Sequence, residues 1–118
     1  MSLSGKQQVF AYNFALLLMF IKREGYGYSL GEVWRTPEMA ILYAKKGMGI
    51  VDSQHCKKLA ADINLFKDGV YLPNSSSHTI FGQYWETLHP DNRWGGDWNG
   101  NDKVDPGDDD GCHYEMRG

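Results

Sequence analysis

The sequence predicts an α+β domain, a small antiparallel sheet with helices packed on it. Three observations predict it. Apolar residues recur at helical spacing near the N-terminus, a strictly alternating run in mid-chain ends at an Asp-Gly turn, and a short apolar run follows a long polar stretch near the C-terminus. Helices mixed with antiparallel strands give this class, and no internal repeat or linker divides residues 1–118, which read as a single domain.

The first helix is expected over Gln7 to Glu24. Val9, Phe10, Phe14, Leu17, Leu18 and Ile21 fall on one face, and Gly25 follows the basic end Lys22-Arg23. Tyr26 to Val33 reads as a short extended segment. Thr36-Pro37-Glu38 is a helix start, with Thr36 at the cap, Pro37 at the first helical position and Glu38 in the first turn. That helix runs to about Lys46 and stops at Gly47. From Leu59 to Phe66, Ala61, Ile63 and Leu65 alternate against Ala60, Asp62 and Asn64, which is a strand. Lys67-Asp68-Gly69 then predicts a hairpin with Val70-Tyr71-Leu72 as its return. Pro73 to Ser77 is a polar loop, and Thr79 to Leu88 a helix ending near His89-Pro90. Asp91 to Gly111 is rich in Gly, Asp and Asn, too polar for core, and is expected to be a loop. A loop of that length in a small domain is usually functional. Cys112 to Met116 is a final strand.

Composition excludes several classes. Hydrophobic residues make up 42% of the 118 residues and aromatics 14%, enough for one modest core and against disorder. Net charge is −3 and the basic residues are scattered, so the basic face that nucleic acid requires is not expected. The run Phe14 to Ile21 has the look of a signal-peptide core, but Lys22-Arg23-Glu24-Gly25 follows in place of a small-residue cleavage site. It is also too short to span a bilayer. It reads as a core helix, no membrane partner is expected, and the chain is expected to be made in the cytoplasm without an export signal. Cys56 and Cys112 are too few for a disulfide framework and are not spaced as a zinc knuckle.

The chemistry-bearing residues lie in two places. His55 and Asp62 bracket one segment, and His113 lies far downstream with Asp110 three residues before it. Two imidazoles and one carboxylate suffice for a catalytic zinc site, because the fourth position stays open for water. Zinc lowers the pKa of that water, and a neighbouring base such as Asp110 must still accept the proton. Taken singly, each residue is more often a surface or turn residue than a ligand.

Taken together they form a pattern. Ser53-x-His55-x-x-Lys58-x-Ala60-x-Asp62 resembles the Ser-x-His-x-x-Gly-x-Ala-x-Asp motif of the D-alanyl-D-alanine carboxypeptidase and L-alanyl-D-glutamate endopeptidase family. Asp110-Gly111-Cys112-His113-Tyr114-Glu115 resembles that family's second motif, an acidic residue three before a histidine, often followed by an aromatic residue and Glu. Gly31 to Glu38 is similar to its arginine-bearing segment. Gly82-Gln83-Tyr84-Trp85-Glu86 and Arg93-Trp94-Gly95-Gly96-Asp97 are similar to its phage-type members. Lys58 departs from the motif glycine.

The resemblance implies a zinc site in a surface cleft, with His55, Asp62 and His113 as ligands. It implies Asp110 as the base that activates water and later protonates the leaving amine. Arg35 would polarise the substrate carbonyl or hold a carboxylate, as a fixed cation beside a developing oxyanion should; otherwise it is an ion-pair partner of Glu32 or Glu38. Ser53 would bind substrate or hydrogen-bond a ligand, or else serve as a turn residue. The activity implied is cleavage of the peptidoglycan stem peptide by a monomeric, phage endolysin-type peptidase that reaches the cell wall after release from the cytoplasm. Trimming of terminal D-alanine by a D,D-carboxypeptidase or dipeptidase is the alternative within that class. A zinc-stabilised binding module without activity is the rival outside it, and the retention of Asp110 speaks against it. Trp85 is expected in the core, and Trp94 and Trp98 as candidate cleft residues. Since each cysteine adjoins a proposed ligand, two buried free thiols behind the site are expected, neither of them a ligand.

One further motif comes from the residues alone. Asp97-x-Asn99-x-Asn101-Asp102-Lys103-Val104-Asp105-x-x-Asp108 is spaced as a calcium loop, with side-chain oxygens at positions 1, 3, 5, 9 and 12 and the Lys103 carbonyl at position 7. Asp102 stands where glycine is usual, and Asp108 is a shorter arm than the usual Glu. The competing reading is a solvated acidic loop.

Overall fold

A computed structural model describes residues 1–48, 53–101 and 103–118. The chain is α+β, and its described residues form three α-helices packed on a five-stranded antiparallel sheet. Helix α1 spans Leu3–Arg23 and starts earlier than the apolar periodicity suggests. Its start is a polar signal: Ser2 caps the helix, its Oγ accepting from Gly5 N at 3.0 Å. Phe10, Leu17 and Ile21 are its buried apolar residues, so the run that resembles a signal-peptide core is a packed helix face. Among the described residues no helix is long and apolar enough to cross a membrane. Helix α2 spans Pro37–Lys45, with Thr36 capping Met39 N as expected. Helix α3 spans Thr79–Thr87.

Strand β1 is Gly27–Leu30, β2 Ala60–Lys67, β3 Val70–Leu72, β4 Asn92–Trp94 and β5 His113–Met116. The sheet runs β1-β2-β5-β4, with β3 also paired to β2. β2 is divided lengthwise: Ala60 to Asp62 pair with β5, whereas Ile63 to Lys67 pair with β1 and β3. The turn joining β2 to β3 puts Asp68 at φ 51° and Gly69 at φ 79°, the left-handed pair of a tight hairpin. The period-2 reading of β2 holds, with Ala61, Ile63 and Leu65 fully buried toward the helices and Asp62 and Asn64 on the opposite face.

Three expectations are corrected. The stretch 91–111 is not loop throughout: Asn92–Trp94 forms β4 beside β5, and Trp94 is 2% exposed core rather than a cleft residue. Two glycines explain how a Gly-rich stretch enters the core. Gly82 on α3 and Gly96 leave room for the Trp94 ring, which a Cβ at either position would penetrate. The indole N–H donates to Gly111 O at 2.7 Å. Pro73 to Ser77 is likewise not all loop, because Ser75–His78 forms a 3-10 turn leading into α3. Trp85 is core as expected, its N–H shared between Arg93 O at 3.1 Å and Glu115 O at 3.0 Å.

Candidate active site

The site begins with register. Asp62 on β2 lies directly opposite His113 on β5, so their side chains share the face turned away from the helices. His55 comes from a 3-10 turn, Gln54–Lys57, just before β2. Ser53 caps that turn, its Oγ accepting from His55 N at 3.2 Å. The turn ends at Lys58, whose backbone is left-handed at φ 58°. This accounts for the motif glycine: the chain needs a positive φ here to enter β2, and this sequence meets it with lysine.

Three donor atoms converge. His55 Nε2 lies 3.2 Å from His113 Nδ1, His113 Nδ1 lies 3.2 Å from Asp62 Oδ1, and His55 Nε2 lies 3.4 Å from Asp62 Oδ1. A tetrahedral ion with ligands at about 2.0–2.1 Å has edges of roughly 3.3–3.4 Å, so the triangle has the dimensions of one face of a zinc site. Among the described residues this is the one His/Cys/Asp/Glu group placed to hold a metal ion. The two rings cross at 72° with centroids 4.9 Å apart.

The second nitrogen of His113 is held from behind: Nε2 lies 2.8 Å from Glu115 Oε1, two residues along the same strand face. This is the carboxylate–histidine arrangement that fixes tautomer and ring orientation in metal sites. Glu115 closes the second motif in the sequence but was given no role there, although its place two residues after His113 puts it on the same side of the strand.

Electrostatics follow from this packing. Burial raises the Asp62 carboxyl, but hydrogen bonds from His113 and His55 outweigh it and hold the pKa at about 2. Burial lowers the His113 imidazole, yet hydrogen bonds to Asp62 and Glu115 push it up to about 9. The Asp110 carboxyl is raised, chiefly by burial and further by Asp62 and Asp109, while His113 and His55 pull against this. An elevated carboxyl suits a group that must take up and return a proton.

A cleft of about 300 Å³ joins these groups to Arg35, Ser53, Gln54, Met48, Trp98 and Glu115. The structure thus brings His55, Asp62, His113, Asp110, Arg35 and Ser53 to one concavity. Arg35 lines the cleft and pairs with Glu32 at 2.6 Å. Trp98 lies beside His113 with ring centroids 5.6 Å apart, as a cleft aromatic should. Asp110 is set by close backbone packing: Asp110 O accepts from His113 N at 3.0 Å, and a Cβ on Gly95 would strike that same carbonyl. Cys56 and Cys112 are free and half-buried, less enclosed than expected, and neither belongs to the metal-capable group. Burial, with Asp62 and Asp110 nearby, pushes the Cys112 thiol up to about 12.

The 97–108 loop closes on itself. Asp97 and Asn99 side-chain oxygens accept from Asn101 N at 3.1 and 3.2 Å, and Asn101 Oδ1 accepts from Lys103 N at 3.0 Å. Asp108 Oδ2 accepts from Asp105 N at 2.8 Å, while Asp105 Oδ2 accepts from the side chains of Asn99 and Asn101 at 3.2 and 2.5 Å. Residue 102, at the position usually taken by glycine, lies outside the described residues.

Comparison with solved structures finds the fold elsewhere. The L-Ala D-Glu endopeptidase ChiX of Serratia marcescens superposes with a TM-score of 0.59 at 18% identity. The two share a fold. The match covers 76% of this chain and 66% of that one. No family model and no curated protein sequence matches the chain.

Proposed function

We propose that the chain is a zinc-dependent peptidase of bacterial cell-wall peptides, of phage endolysin type, cutting the L-alanyl-D-glutamate bond of the peptidoglycan stem peptide as a monomer. The observation that carries this is the triangle of His55, Asp62 and His113 donor atoms at 3.2–3.4 Å, open toward a cleft. The shared fold with a protein named as an L-Ala D-Glu endopeptidase supports the substrate class.

When bound, zinc would acidify a water and polarise a carbonyl. The remaining work belongs to the protein. Asp110 takes the proton from the attacking water and returns it to the leaving amine, which its raised carboxyl suits. Arg35, fixed by Glu32, offers a cation to the substrate carbonyl or carboxylate. Ser53 holds the His55 turn in place. Trp98 forms an apolar wall beside His113.

A second reading has its own observation: a guanidinium in the cleft also suits the C-terminal carboxylate of a D-alanyl-D-alanine substrate. Calcium remains a proposal for the loop. Asp97, Asn99, Asn101, Asp105 and Asp108 turn oxygens onto the loop's own N–H groups, and a cation would replace those donors with the Lys103 carbonyl as a further ligand.

Metal analysis combined with mass spectrometry of digested peptidoglycan tests the assignment. Stoichiometric zinc and new L-alanine C-termini are expected. Release of D-alanine alone would select the carboxypeptidase, and zinc binding with no cleavage the inactive module. Asp110→Asn should retain zinc and lose roughly two to four orders of magnitude in rate. Near-wild-type turnover in that variant refutes the base assignment. A calcium titration of the zinc-loaded protein that shows no heat leaves a solvated loop.

A further inference from the structure

Glu32 stands where three parts of the site meet. Its backbone carbonyl accepts from Asp62 N at 2.9 Å, which extends the β1–β2 pairing past Leu30. Its Oε1 contacts Arg35 Nη2 at 2.6 Å. The same oxygen lies 3.7 Å from His55 Nδ1. That distance is too long for a hydrogen bond. Yet His55 Nδ1 is buried and has no hydrogen-bond partner, and Glu32 Oε1, buried too, is held by its ion pair with Arg35. A buried ring nitrogen without a partner calls for one, and the carboxylate oxygen across this small gap is the acceptor that faces it. His113 shows the closed form, with Glu115 at 2.8 Å behind its distal nitrogen. The backbones are tied as well, Arg35 N donating to His55 O at 3.3 Å.

We infer that Glu32 is a shared positioning residue, one carboxylate that orients both His55 and Arg35. On the His55 side it accepts from Nδ1–H and so fixes the tautomer that leaves Nε2 free toward the cleft. On the Arg35 side it holds the guanidinium where substrate is met. A carboxylate has acceptor sites enough for both donors. The inference rests on the peptidase reading of the same site and deepens it. The metal site and the substrate cation are coupled through Glu32, so disturbing it moves both metal affinity and substrate affinity.

The test uses the full chain and the substitutions Glu32→Met, which removes the acceptor, and Glu32→Gln, which keeps an acceptor without the charge. Zinc dissociation constants come from chelator competition, KM and kcat from a purified stem-peptide substrate, and the His55 tautomer from nitrogen NMR of the metal-free protein. Wild type should show the Nδ1–H tautomer. Glu32→Met should bind zinc about 10-fold or more weakly and raise KM. Glu32→Gln should raise KM with a much smaller loss of zinc. If Glu32→Met does not fold, the Glu32→Gln result and the wild-type tautomer decide. Wild-type KM in Glu32→Gln, or an Nε2–H tautomer in wild type, overturns the proposal. So does a Glu32→Met protein in which only one of the two affinities moves. A wild-type protein that takes up no zinc fails at the first step and overturns the peptidase reading itself.

Discussion

At Lys58 a backbone requirement and a side chain disagree. The φ of 58° suits glycine, and a residue with a Cβ there costs about 1–2 kcal/mol. Against this stands one weak contact, the Lys58 ammonium 5.9 Å from the Trp34 ring centre, worth about 0.5 kcal/mol when exposed. Strain exceeds attraction, so Lys58→Gly should raise stability by about 1 kcal/mol, which is about 4 °C for a domain of this size. Zinc content should be unchanged. A melting temperature at or below wild type would mean that the ammonium does more than its distance suggests. Lys58 is a departure from a motif that becomes intelligible only with φ in hand, because the sequence gives identity and not backbone angle.

His78 supplies a second effect at this scale. It is 2% exposed, its Nδ1 is 2.8 Å from the Tyr114 hydroxyl, and burial lowers its pKa to about 4. A folded pKa below the unfolded 6.5 means that the unfolded chain binds the proton more readily. Stability is therefore full above pH 6.5 and falls as pH drops toward 4. The loss across that window should reach about 3 kcal/mol by linkage. Denaturant midpoints at pH 7 and pH 4.5 for wild type and His78→Gln measure it. A slope between the two pH values that survives the substitution assigns the effect elsewhere.

At the scale of elements, α3 and β4 meet through Gly82 and Trp94. Helix propensity alone favours Gly82→Ala by about 1 kcal/mol. Packing opposes it, because the new Cβ would sit inside the indole ring, and overpacking of this kind costs about 1–3 kcal/mol. Displacing Trp94 would also strain its bond to Gly111 O, just beside Asp110. Packing wins, and the substitution should destabilise by about 2 kcal/mol in chemical denaturation, with a shift in tryptophan fluorescence. A gain in stability would show that the helix can move away from β4 at little cost. This packing also explains what the sequence concealed. The helix cap at Thr36, the alternation of β2 and the Asp-Gly hairpin each depend on neighbours in sequence and were legible. β4 was not, because three residues among Gly and Asp carry no periodicity, and Trp94 is made core by glycines 12 residues before it and two after it.

At the scale of the molecule, the site is a product of pairing between distant segments. His55, Asp62 and His113 were picked out by the resemblance of their two segments to a known motif pair, and the α+β class followed from the order of elements. The partners that hold them were not. Glu115 and Glu32 gain their places only when β5 and the end of β1 lie against β2. The open cleft is likewise a tertiary property, bounded by residues from 35 to 115.

The lengthwise division of β2 also sets an order in time. Its far half pairs with β3 through a two-residue turn, a contact that closes in about 1–10 μs. Its near half waits for β5, whose residues lie about fifty positions away, and long-range strand pairing is slow. The half that waits is the half that bears Asp62. During refolding, secondary structure followed by circular dichroism should therefore recover before the proposed capture of zinc, read with a fluorescent chelator in stopped flow. Simultaneous recovery would mean that β5 docks in the same event that forms the hairpin. A chain halted in between would hold its sheet signal and lack the site, with the edge of β2 at Ala60 to Asp62 uncovered and free to pair with another molecule.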